Sequence, residues 1–147
     1  MADPQIIQEW LNKADDDFNF ADANLKENST FYAQICFHFH QAAEKYLKTF
    51  IIAYDLEFEK THNLVGLLKI CSKKEPSILS ILEECTSLNA YYIDTRYPVH
   101  WPTNYSEEKA SNAKESVLKI SGTIKLLLKE LWVQNAENSG DIRNPEN

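Results

Sequence analysis

The chain has 147 residues, 44% of them hydrophobic and 25% charged, with three glycines and a formal net charge of -7. That length suits one domain that buries its core without disulfides or a structural metal, and so few glycines argue against a turn-rich β architecture. The acidic balance, with a pI near 5.1, works against generic nucleic-acid binding, which rests on neutralised phosphates.

Asp3 and Pro4 open a first helix as N-cap and first helical residue, since the carboxylate accepts an orphan amide and proline supplies the helical φ. Its apolar stripe, Ile7, Trp10, Ala14, Phe18, Ala21 and Leu25, alternates steps of three and four, as an amphipathic helix requires. Of Asp15, Asp16 and Asp17, two are expected on a solvated face, while Asp17 lies close enough to the stripe to answer a cation from a neighbouring helix. Residues 28–30 break the helix.

A second helix spans about residues 31–54 and is apolar on two sides, with Phe39, Ala43, Leu47 and Phe50 on one and Ala42, Ile52 and Ala53 on the other. Such a helix is central or lies at a subunit interface. His40 falls within its core arc, Glu44 and Lys48 at the edge, Lys45 nearly opposite, and His38 on the surface. Residues 55–60 connect to a short third helix that Thr61 is expected to cap.

A fourth helix opens near Pro76 or Ser77, carries Ile78, Ile81, Cys85, Leu88 and Tyr92, and is stopped by Pro98 and Pro102. The segment 97–105 is irregular and aromatic, fit to cover a pocket or a partner. Ser106 caps the last long helix, whose Ala110, Ala113, Val117, Ile120, Ile124 and Leu127 form a close-packing seam. Residues 1–133 thus make the domain, and the polar stretch 134–147 is expected to be a flexible tail. These elements predict an all-α, antiparallel up-and-down helical bundle of four long helices plus one short helix.

Cys36, Cys71 and Cys85 are odd in number and lack zinc-ligand spacing, so they are expected to be buried thiols in a reducing cytoplasm, with no cofactor implied. The opening residues lack a leader pattern and no long apolar run occurs, which predicts a soluble, cytoplasmic protein with no membrane association. Phosphate-binding glycine loops, a His-Glu-x-x-His motif and a Gly-x-Ser-x-Gly motif are absent from the sequence.

Three blocks carry most of the chemistry: His40-Gln41-Ala42-Ala43-Glu44-Lys45-Tyr46-Leu47-Lys48, then Thr61-His62-Asn63-Leu64, then Tyr91-Tyr92-Ile93-Asp94-Thr95-Arg96-Tyr97-Pro98. In this order, and from about residue 9 to 131, the chain resembles the HEPN domain family, in its branch with Arg-Tyr-Pro after the fourth helix. The resemblance implies the same bundle, commonly as a homodimer. It also implies a nucleotide or small-ligand groove and a working partnership with a minimal nucleotidyltransferase, as in a toxin-antitoxin pair.

The groove would draw on Gln41, Glu44, Lys45, Lys48, His62, Tyr92, Arg96 and Tyr97, with cations holding phosphate and tyrosines stacking on a base. The same residues admit a structural role, in which Glu44 and Arg96 form a partly buried ion pair and the protein is an interaction homodimer. Many HEPN members resemble metal-independent RNases with Arg and His separated by four to six residues. Here Arg96 and His100 are separated by three, with Pro98 breaking the helix between them, so endoribonuclease action through that pair is the alternative rather than the main expectation.

Overall fold

The computed structural model describes residues 2–27, 29–92 and 104–138. Among these the chain is all-helical: α1 Pro4–Lys26, α2 Tyr32–Ala53, α3 Leu64–Lys74, a 3₁₀ segment Pro76–Ile81, α4 Leu82–Asn89 and α5 Glu107–Asn138. The caps follow local chemistry. Asp3 Oδ1 accepts from the Gln5 amide at 2.9 Å with Pro4 in the first turn, and Ser106 Oγ accepts from the Lys109 amide at 3.2 Å.

α1 and α2 run antiparallel, with the Phe18 and Phe39 rings 5.6 Å apart in their interface. α2 lies at the centre, and thirteen of its residues are buried, including Phe39, Tyr46, Leu47 and Phe50. Most of both apolar faces is covered within this one chain, since Ala42 and Ala53 are as inaccessible as Ala43 and Leu47, while Ile52 is only partly buried. α5 packs along α2 with Val117, Ile120, Ile124 and Leu128, as its three-four spacing requires.

The turn after α2 decides where the functional residues fall. Asp55 adopts φ 52°, and the Leu56 amide reaches back to the Ile51 carbonyl at 2.9 Å while the Asp55 amide bonds Ile52 at 3.1 Å. This is the paired bonding of a Schellman end, with aspartate in the left-handed position usually given to glycine. The connector then returns along α2, with Phe58 5.5 Å from the Lys48 ammonium and 6.5 Å from the Trp10 ring. It delivers His62 beside Glu44, so α3 descends next to α2, with Cys71 Sγ 3.7 Å from the Leu47 carbonyl.

Several details differ from the sequence-based expectation. Asn63, not Thr61, caps α3, its side chain accepting from the Gly66 amide at 3.1 Å; Thr61 instead accepts from the Asn63 amide one turn earlier. The stretch from Pro76 begins as a 3₁₀ helix before α4. Asp15 is not simply solvated, because it accepts from the buried Tyr46 hydroxyl and from Lys125 at 2.9 Å. α5 continues to Asn138, so residues 134–138 are helical rather than the start of a tail.

Candidate functional site

Glu44 is the buried charge around which the site is built. It sits on the central helix with 5% exposure, and a carboxylate so placed needs partners to remain ionised. One oxygen accepts from Lys48, a helical turn later, at 3.0 Å; the other takes His62 Nδ1 at 2.7 Å. His40, fully buried one turn before Glu44, places Nε2 3.2 Å from the His62 carbonyl oxygen.

Proton positions follow from these partners. His40 donates from Nε2 to the His62 carbonyl, and burial holds its imidazole below the ordinary value against the opposing pull of Glu44. Gln41 Oε1 lies 3.3 Å from His40 Nδ1; a neutral ring that donates from Nε2 accepts at Nδ1, so this pairing calls for the Gln41 amide in its flipped orientation, with the NH₂ group towards that nitrogen. With Nδ1–H of His62 given to Glu44, a neutral His62 ring carries its free lone pair on Nε2.

His62 is also held by its face. Its ring stacks on Tyr92 with centroids 4.2 Å apart and planes 14° apart, and Tyr92 in turn lies 5.5 Å from the His40 ring and 6.2 Å from Phe37. The His62 side chain remains 48% exposed, whereas Glu44 behind it is sealed. This oriented imidazole forms one wall of a cleft of about 350 Å³ lined by Lys60, Thr61, His62, Asn63, Asn89 and Tyr92.

The amino end of α3 reaches this cleft with part of its donor capacity already used. Asn89 Oδ1 accepts from the Leu64 amide at 2.8 Å, and Asn63 Oδ1 takes both the Gly66 amide and the Asn89 side-chain amide at 3.1 Å. These two asparagines clamp α3 to the end of α4 and fix the cleft floor. Among the described residues, Lys60 is the cation that lines the cleft itself.

Gln41, Glu44, Lys48, His62 and Tyr92 are therefore brought near one another, but of these only His62 and Tyr92 line the cleft. Lys45 is not among them: its ammonium pairs with Asp17 on α1, away from the cleft, which is the cation that Asp17's place beside the α1 stripe anticipates. His38, expected on the surface, is two-thirds covered, its ring 4.6 Å from Phe20 and its Nδ1 3.7 Å from Asp17. Arg96, Tyr97 and His100 lie outside the described residues.

Sequence reasoning missed His40 as a structural member of the site, and missed Lys60, Asn63 and Asn89. Only the place of His40 within the core arc of α2 was a usable signal, because the asparagines meet through tertiary packing across 26 residues of chain. Among the described residues, no three His, Cys, Asp or Glu side chains gather to hold a metal, and no helix is long and apolar enough to cross a membrane.

The fold is an all-α bundle whose central helix carries a buried carboxylate, answered by a histidine just before the next helix. The chain belongs to the HEPN domain family, whose model matches residues 7–127. The structure is similar to that of TT1696 from Thermus thermophilus, with a TM-score of 0.68 and 27% identity, covering 81% of this chain and 95% of that one. It is also similar to ST0689, an archaeal HEPN homologue, with a TM-score of 0.67 and 24% identity over 83% of this chain and 97% of that one, a likeness of fold alone. No curated protein matches the chain.

Proposed function

We propose that this HEPN module binds a nucleotide-type ligand in the cleft beside His62 and Tyr92, and that it works with a minimal nucleotidyltransferase. The observation that carries the binding proposal is the oriented imidazole: Glu44 fixes its tautomer, Tyr92 fixes its plane, and half of it faces the cleft. A ring prepared in this way offers Nε2 to a base or sugar donor without the entropy of ordering a free side chain. The Asn63 and Asn89 amides suit a base edge, and Lys60 suits a phosphate.

Lys48 serves this ligand indirectly. Its ammonium is spent on Glu44 with 11% exposure, so it neutralises the buried carboxylate and leaves the ligand's charge to Lys60. Family membership and the Arg-Tyr-Pro block support the nucleotidyltransferase partnership, which copurification of the two proteins tests.

The binding test is a calorimetric titration with ATP and with GTP of the wild type and of His62→Ala, Tyr92→Ala and Lys45→Ala. Binding is expected to weaken about tenfold or more in the first two, an effect of roughly 1.4 kcal/mol or greater, and to persist in Lys45→Ala, whose side chain faces α1. Failure of both nucleotides to bind the folded wild type, or equal binding by all four proteins, would end this proposal.

A further inference from the structure

A second cleft, of about 270 Å³, opens where α1 gives way to α2, and its walls include Phe20, Asn24, Phe31, Gln34 and His38. Phe31 is 68% exposed and Phe20 54%. Two phenyl rings left so bare forgo the free energy of burial, and here they border one cavity instead of lying scattered over the surface. The third ring is held in place. His38 meets Phe20 edge-on at 4.6 Å and Phe37 at 5.6 Å. Its Nδ1 is buried, 3.7 Å from an Asp17 oxygen, which leaves Nε2 as the ring nitrogen free to serve the cleft.

The lining says what the cleft can take. It contains no Lys, Arg, Asp or Glu, and Asp17, behind His38, is already paired with Lys45. A charged occupant would lose hydration there without gaining a counter-charge, so a phosphate-bearing ligand belongs beside Lys60 and not here. The open polar groups are amides. Asn24 gives its Nδ2–H to the Phe20 carbonyl at 2.8 Å, which leaves Oδ1 to accept. The Gln34 side chain carries no hydrogen bond among the described residues and presents a donor next to an acceptor. Amides beside phenyl faces are complementary to a flat, uncharged ring whose rim carries N–H and C=O together.

We propose that this cleft binds a small neutral aromatic amide, its N–H given to Asn24 Oδ1, its carbonyl accepting from the Gln34 NH₂ group, and its ring against Phe20 and Phe31. The volume falls just below the range of about 300–1,000 Å³ typical of drug-sized ligands, which limits the occupant to one or two rings. The site shares no lining residue with the cleft beside His62, so it stands or falls independently of nucleotide binding there.

The test is proton–nitrogen NMR of the full chain titrated with benzamide, benzoate and cyclohexanecarboxamide. Benzamide is expected to saturate with a Kd on the order of 1 mM, as a fragment of its size does, and to shift the Asn24 and Gln34 side-chain amides and the Phe31 backbone amide. Benzoate keeps the ring but adds a charge, and cyclohexanecarboxamide keeps the amide but lacks the aromatic face; each should bind about tenfold more weakly. Phe31→Ala and Gln34→Ala alter exposed side chains, so both should stay folded by circular dichroism while weakening benzamide by about five- to tenfold. No saturable shift at these residues, shifts confined to His62 and Tyr92, or unchanged affinity in both variants would overturn the proposal. So would benzoate binding as tightly as benzamide, because the amino end of α2, which has no side-chain cap, would then set the preference.

Discussion

Replacing Glu44 by alanine strands the charge that it neutralises. Lys48, 11% exposed beneath Phe58, would keep its ammonium with no carboxylate in reach, and His62 would lose the acceptor for Nδ1. Removing one member of a buried pair costs about 3–5 kcal/mol; the lysine stem can carry part of its head towards water, and His62 is half-exposed, so the lower end, about 3 kcal/mol, applies here. For a domain of this size that corresponds to a fall in Tm of about 9 °C. Lys48→Ala should cost more, because it leaves a carboxylate with 5% exposure and no long stem. Glu44→Leu combined with Lys48→Met replaces the pair by apolar groups of similar volume and should return to within about 1 kcal/mol of the wild type. Urea unfolding followed by far-UV circular dichroism at neutral pH measures all three. A Glu44→Ala protein within about 0.5 kcal/mol of the wild type, the ordinary range for a surface substitution, would refute a buried, mutually dependent network.

Acid should weaken the fold through His40. Its folded value is depressed by burial, so the unfolded chain binds the proton first, near pH 6.5. Stability is then full above about pH 6.5 and declines as pH falls from there through the folded value. Comparing the pH dependence of urea midpoints for wild type and His40→Gln checks this: the variant should show a shallower decline between about pH 6.5 and 5, and equal slopes would contradict it. The three cysteines, buried and pushed up to about 11 and 12, should resist a thiol-specific disulfide reagent in the native state and react together on unfolding. Rapid native-state labelling of any of them would count against the packing described.

Much of the bundle is legible in the sequence because burial imposes periodicity. The stripes of α1 and α5 are read directly from their three-four spacing, and the two-sided apolarity of α2 is what a central helix needs. The site is legible only in part. Glu44 and His62 stand out as polar residues at a core edge and a helix start, but their contact depends on the connector doubling back along α2, a path set by the left-handed turn at Asp55, where glycine would have been the visible signal. Thr61 and Asn63 are equally plausible caps by residue type, and the choice falls to Asn63 because Asn89 engages it from α4. The helical wheel puts Lys48 at the core edge and Lys45 nearly opposite, but it does not say that Glu44 claims the first and Asp17 the second. Such assignments are made by neighbours distant in sequence, which local pattern does not encode.

The claim that His62 is a preset ligand-binding imidazole is tested most directly by nitrogen NMR of the histidine side chains during titration with ATP. The chain has four histidines, and His62→Ala assigns the one in question. The free protein should show His62 as the Nδ1–H tautomer, and ATP should perturb its Nε2 resonance while leaving that of His38, which faces α1, unchanged. An Nε2–H tautomer in the free protein, or a His62 signal indifferent to saturating ATP, would contradict the account.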